Sequence, residues 1–157
     1  MYNTHMTLKN GQIRINVPYV PSTWHKIEVM IELSNPQPGE KMADLGSGDG
    51  RIVMEFAKRD IESHGYEINS ELAILAESKI LDAELDVKAF IHISDFWEED
   101  LSSFDIVVIY GMTSIMTQLE KKLRTELKPG SRVLSAIFHF PNWAPTAEKD
   151  NVSLYTV

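Results

Sequence analysis

The residues best suited to chemistry lie close together: Asp44, Gly46, Ser47, Gly48, Asp49, Gly50 and Arg51. Glycines at alternate positions let the chain turn tightly and let a ligand lie against main-chain amides, which at a helix start carry the positive end of the dipole. Two further acidic residues join them by spacing. Glu67 lies 21 residues beyond Gly46, the separation that brings a carboxylate to the neighbouring strand tip in a β-α-β unit. Asp95 closes a third apolar run, Val87 to Ile93. A carboxylate at the second position can accept both hydroxyls of a ribose. An aspartate at the third can accept from an adenine amino group while Phe96 or Trp97 covers a ring face, although the same Asp equally serves as a helix N-cap above two core aromatics. Tyr110 ends a fourth apolar run, over the place a reacting centre would occupy.

The loop's details select among ligands. The dinucleotide fingerprint wants a small residue three places after its second glycine, where Arg51 stands, and the phosphate-cradling loop wants Gly-Lys-Ser/Thr, which is absent. Carboxylates at 44 and 49 repel pyrophosphate but suit a cationic amine and a sulfonium. S-adenosylmethionine fits that pattern; a plain strand-to-helix turn with incidental glycines leaves the downstream acidic residues unexplained.

The elements that must hold these groups are legible in the periodicity. Lys41-Met42-Ala43 leaves a Pro/Gly turn as a strand, and Ile52, Val53, Phe56 and Ala57 give one face of a helix over about 51–60. Residues 62–67 read as a second strand. Asn69 or Ser70 caps a helix with Leu72, Leu75, Ala76 and Ile80 inward. Phe104 to Tyr110 has the continuous apolar character of a strand buried on both faces. Thr113 or Ser114 starts a helix with Ile115, Met116, Leu119, Leu123 and Leu127 on one side and Glu120, Lys121, Lys122 and Arg124 as a solvated face. Arg132 to Phe138 is a fifth strand, and Val152 to Val157 supplies one or two antiparallel edge strands. Upstream, Ile13, Ile15 and Val17 alternate loosely, as in a short strand or an arm. Val17-Pro18-Tyr19-Val20-Pro21 is restricted to an extended path by its prolines, either as a linker or as a segment laid over a ligand at low ordering cost. Ser22 or Thr23 then caps a helix with Trp24, Ile27, Met30 or Ile31, and Leu33 inward. Trp143, between Pro141 and Pro145, is equally suited to plug the core or to rim a substrate site.

The 157 residues make one domain, with 1–16 as an arm and 17–35 as a lid segment and helix. The net charge of -8 disfavours nucleic acid, whose binding rests on basic surface, and tolerates basic partners such as lysine-bearing proteins. No cysteine is present, so disulfides and thiolate metal sites are excluded, and no metal site is expected. No apolar run reaches a membrane span and no signal peptide opens the chain; the expected compartment is cytoplasmic.

Five strand-helix units with carboxylates at the first three strand tips resemble a class I S-adenosylmethionine-dependent methyltransferase. Residues 17–23, Asp44 to Val53, 65–69, 93–97, Gln118 to Leu123 and 140–145 recur in this order in a family of protein lysine methyltransferases. That family includes archaeal broad-specificity enzymes and mitochondrial ones acting on the ATP synthase c subunit and the adenine nucleotide translocase. The resemblance implies an α/β, Rossmann-like fold: a mostly parallel central sheet flanked by helices on both faces, with a reduced antiparallel C-terminal edge. It implies S-adenosyl-L-methionine as cofactor, S-adenosyl-L-homocysteine as product and a lysine-bearing protein as partner. Asp44, Gly46, Ser47, Gly48 and Arg51 would surround the methionine part, Glu67 and Ile68 the ribose, and Asp95 and Phe96 the adenine. Tyr19 and Thr23 would close over the methionyl end, and Tyr110, with Tyr19 and Trp143, would line the lysine channel. No side-chain base is implied. The hydrophobic targeting segment of the mitochondrial members is missing, which argues against a membrane-embedded substrate. The Asn-Pro-Pro-Tyr signature of amide and base-amino methyltransferases is also missing after the fourth strand, where Tyr110-Gly111-Met112 stands. The alternatives are a small-molecule or RNA methyltransferase and a non-catalytic cofactor-binding subunit.

Replacing Glu67 by alanine is expected to weaken S-adenosylmethionine binding at least about tenfold, or about 1.4 kcal/mol, through loss of charge-assisted hydrogen bonds. An unchanged calorimetric dissociation constant would remove Glu67 from the site.

Overall fold

Four consecutive apolar residues, Ile106 to Ile109, form the middle strand of the protein and are all buried. The computed structural model describes residues 6–9, 12–15, 19–111 and 113–157, with side chains from residue 19 onward. Val17, Pro18 and Met112 lie outside the described residues, as does part of the arm expected over 1–16. Of that arm, β1 (Met6–Lys9) and β2 (Gln12–Ile15) pair antiparallel as a separate hairpin.

After α1 (Trp24–Ser34) come β3 (Lys41–Leu45), α2 (Arg51–Ala57), β4 (Glu62–Glu67), α3 (Ser70–Asp82), β5 (Ala89–Ile93) and β6 (Ile106–Ile109). They are followed by α4 (Thr113–Glu126), β7 (Arg132–Ala136), β8 (Ala147–Lys149) and β9 (Val152–Thr156). The main sheet runs β5-β4-β3-β6-β7-β9-β8. Its first five strands are parallel. β9 runs against them, and β8, antiparallel to β9, returns to their direction. The expected mostly parallel Rossmann-like sheet is therefore present, with a single reversed strand near the C-terminal edge. Strand order departs in opposite directions from β3 and β6, and at such a switch point the carboxyl ends of the strands open a ligand crevice.

Several expectations need correction. The crossover from β5 to β6 contains only a short 3-10 turn (Phe96–Glu98), so the five strand-helix units reduce to four α-helices and one turn. In α1 the inward residues are Ile27, Val29 and Met30, whereas Trp24 is 60% exposed, because its ring meets the Arg51 guanidinium at 5.7 Å instead of the core. In α3 the small Ala73 and Ala76 face inward with Ile80, which lets the helix approach the sheet closely and turns Leu75 to solvent.

Glu120 is also buried rather than part of a solvated face. One carboxylate oxygen accepts from the Asn142 amide at 2.9 Å and the other faces Arg124 at 3.4 Å, so α4 holds the loop after β7. Arg124 covers Trp143 at 5.6 Å, and Trp143 packs on Phe140 and Tyr155 at 5.4 and 5.2 Å.

Because Arg124 is largely solvated, its ion pair adds little, and the buried acceptor carries the effect. Glu120→Ala is expected to lower unfolding free energy by about 0.5–1.5 kcal/mol, the net worth of one hydrogen bond to a part-buried amide. Urea denaturation with an unchanged slope would report it, and an unchanged midpoint would refute it.

Candidate functional site

The glycine loop between β3 and α2 is shaped by what lies over and beneath it. Gly50 caps α2 with a left-handed φ of 77°, and a Cβ there would come within 2.9 Å of the Ala76 Cβ in α3. At Gly48, with φ of 54°, a Cβ would come within 2.3 Å of the Tyr19 ring. The absence of a side chain at 48 is thus what lets the proline arm settle on the loop.

Asp49, at the heart of the loop, is ion-paired with two cations through three hydrogen bonds. It accepts from Arg51 Nε at 2.9 Å and Nη2 at 2.9 Å and from Lys79 Nζ at 2.6 Å, and it hydrogen-bonds the Tyr19 hydroxyl. Burial works to raise its pKa, but these partners win and hold it well below the usual carboxylate range. Burial and the bond to Asp49 raise the Tyr19 hydroxyl. Arg51 also donates to the Ser22 carbonyl at 3.1 Å. Loop, α3 and arm are therefore joined through one carboxylate.

The other two carboxylates of this corner are treated differently. Glu67 accepts from the Gly48 amide and from the Asn69 amide, both at 2.8 Å, so it braces the loop while each oxygen keeps a lone pair toward the crevice. Asp44 is 3% exposed. Burial, then Glu67 and then Asp49 push its pKa up to about 8, so near neutral pH its carboxyl holds a proton.

A cavity of about 480 Å³ opens at these strand tips. Asp44, Gly46, Ser47, Arg51, Glu67 and Ile68 line it; so do Asp95 and Phe96 at the far end, and Tyr19 and Tyr110. Three named residues fall elsewhere. Gly48 lies beneath Tyr19 and donates to Glu67. Thr23 caps α1, accepting from the Lys26 amide at 3.3 Å. Trp143 is core packing on Tyr155, a correction to its expected place in the channel. Asp95 caps the 3-10 turn, accepting from the Trp97 amide at 3.0 Å, and also lines the cavity.

Sequence reasoning missed other members. Lys79 lies well inside α3 with nothing in its periodicity to mark it. Tyr66, whose hydroxyl burial and Glu99 push up to about 12, lines the cavity floor. Ser94 lines the cavity too, and its hydroxyl, like that of the expected Ser47, is buried without a hydrogen-bond partner. Of the residues missed, only Ser94 carried a signal, as the neighbour of Asp95. Among the described residues no group of three or more acidic or histidine side chains could hold a metal, and no helix is long and apolar enough to cross a membrane.

The model of the ANTKMT methyltransferase domain family matches residues 44–147. The chain is 37% identical over 132 residues to a lysine N-methyltransferase of the ATP synthase c subunit from Mus musculus, covering 84% of this chain and 53% of that protein. It is 35% identical over 132 residues to a protein-lysine N-methyltransferase of Saccharolobus islandicus, covering 83% and 82%. The chain thus spans about half the length of the first of these relatives. Among solved structures, an RNA methyltransferase from Salinibacter ruber in complex with S-adenosyl-L-homocysteine superposes with a TM-score of 0.81 at 29% identity, covering 87% of this chain and 92% of that one.

Asp44 makes stability depend on pH. Its folded pKa lies above the ordinary value of 3.8, so the folded state keeps a proton that the unfolded chain loses, and the contribution fades as pH rises toward about 8. Between about pH 5 and about pH 8 the unfolding free energy is expected to fall more for the native protein than for Asp44→Asn. One pKa unit corresponds to about 1.4 kcal/mol, so denaturant titrations at the two pH values resolve the difference, and parallel behaviour of the two proteins would refute it.

Proposed function

Because the chain belongs to the ANTKMT methyltransferase domain family, we propose that it transfers methyl groups from S-adenosylmethionine to lysine side chains of proteins. The observation that carries this reading is the cavity at the switch point, lined by the buried carboxyl of Asp44 and by Ser47 and Ser94, whose hydroxyls have no hydrogen-bond partner. The residues fit the cofactor. Asp44 suits the cationic amine of its amino-acid end, while the Gly46 and Ser47 amides are engaged on the Tyr66 carbonyl and shape the loop around it. Glu67 has acceptor capacity left for two ribose hydroxyls, and Asp95 with Phe96 suits an adenine ring. Tyr19 is poised over the loop to cover the methionyl end, while Thr23 supports the arm as a helix cap.

The cofactor supplies a methyl group already activated by its sulfonium and leaves as S-adenosylhomocysteine. The protein's tasks are alignment and exclusion of water, and positioning of that kind is worth on the order of 7–11 kcal/mol. An acceptor lysine must also be neutral. Its reference pKa is about 10.4, and entry between Tyr110, Ile109 and Ile115 would desolvate the ammonium and favour loss of its proton. No side chain is assigned as base.

A second reading has one observation in its favour, the 0.81 TM-score to a protein named as an RNA methyltransferase. The net charge of -8 counts against it, since RNA affinity rests on neutralising phosphates.

Incubation with methyl-labelled S-adenosylmethionine and whole-cell extract separates these readings. Label is expected in protein, recovered as methyl-lysine after acid hydrolysis. Label confined to nuclease-sensitive material would favour RNA, and cofactor binding without any transfer would favour a non-catalytic role.

A further inference from the structure

Six residues other than glycine have a left-handed backbone among those described: Asn35, Asp60, Glu84, Asp150, Asn151 and Ile137. Asparagine and aspartate tolerate this region because their short polar side chains bond locally, whereas a β-branched side chain there is a genuine outlier. Ile137 has φ of 71°. It is the centre of a three-residue turn in which the Phe138 amide donates to the Ala136 carbonyl at 2.9 Å, and with a positive φ this is the rare, strained form of that turn. Its own amide donates to the Asn151 carbonyl at 2.8 Å, and the Ser135 hydroxyl donates to the Phe138 carbonyl. The strained conformation is thus fixed from both sides by groups outside it.

Nothing inside the fold rewards an isoleucine here. Its side chain is 44% exposed and belongs to none of the buried apolar clusters, while the next residue, Phe138, packs against one of them. Strain held by its surroundings at a residue without a packing role marks a functional position. The place is informative as well. β7 ends at Ala136 and runs parallel beside β6, which leads to Tyr110. Ile137, just past the end of β7, therefore stands at the carboxyl edge next to the strand whose end, Ile109 and Tyr110, lines the cavity.

We propose that Ile137 is a specificity-determining residue, thrust out at the rim of the cavity to take an apolar side chain of the substrate polypeptide next to its acceptor lysine. The assignment rests on the lysine-methyltransferase reading above. An isoleucine offers only apolar surface, so what it recognises must be apolar, and a flanking residue is the part of a lysine-bearing chain that meets a rim one strand from Tyr110.

The test uses two acetylated, amidated pentapeptides with a central lysine, flanked by leucines in one and serines in the other, and the variants Ile137→Asn and Ile137→Val. The native protein is expected to favour the leucine peptide in kcat/KM by about tenfold, within the scale of burying one such side chain. Val should keep the preference and Asn should abolish it, with the calorimetric Kd for S-adenosylmethionine unchanged. Because Asn suits the backbone, its Tm should equal or exceed that of the native protein; a lower Tm would make Ile137 a packing residue and overturn the proposal. Native protein that labels lysine in whole-cell protein but treats the two peptides alike, or labels neither, overturns the role of Ile137 and leaves the lysine reading standing. Absence of any methyl-lysine product overturns both.

Discussion

Three carboxylates share one buried corner, and their mutual repulsion is the constraint that the surrounding elements answer. Each is handled by a different means. Asp49 is surrounded by cations and a phenol, which overcome the burial that opposes its charge. Glu67 is held by two backbone amides, a solution that uses no charged partner and so leaves the cavity side open. Asp44 has neither, and burial beside the other two leaves its charged form disfavoured. A site that keeps one carboxyl protonated until a cation arrives has electrostatic preference built in, since a positive group relieves what the fold alone cannot.

The same constraint links parts of the chain far apart in sequence. Arg51 opens α2, Lys79 lies late in α3 and Tyr19 belongs to the arm, yet all three converge on Asp49. The arm is further held by the bond from Arg51 to the Ser22 carbonyl and by the Trp24 ring against the same guanidinium. The arm and the cations that neutralise Asp49 are therefore held at one point. Gly48 makes it sterically possible, because any side chain at 48 would occupy the volume of the Tyr19 ring.

Much of this was legible from residue types. The glycine spacing, the acidic residue about 20 positions later and the unbroken apolar run of β6 each reflect a local rule, and all were found where expected. What escaped depended on tertiary partners. Glu120 sits among charged neighbours in a pattern that reads as solvated, and only the arrival of the Asn142 amide from beyond β7 explains its burial. Trp143, between two prolines, reads equally as core plug or rim, and only its packing on Tyr155 from the last strand separates the two. Leu75 and Ala73 exchanged places because close packing of α3 rewards small residues over large ones. Periodicity identifies a face; it does not decide which neighbour along that face must be small.

The arrangement also bears on what the cavity rejects. A dinucleotide or nucleoside triphosphate would bring further negative charge to a corner that already raises the pKa of one of its own carboxyls, and the nearby cations are engaged on Asp49. A ligand with hydroxyls and a positive centre meets the opposite conditions: acceptors on Glu67, unpartnered hydroxyls on Ser47 and Ser94, and a carboxyl whose ionisation it favours. For S-adenosylmethionine, the cofactor proposed above, methyl transfer would remove the sulfonium charge and keep the amine, the sugar and the ring. The two forms would therefore be told apart only at the methionyl end, beneath the arm.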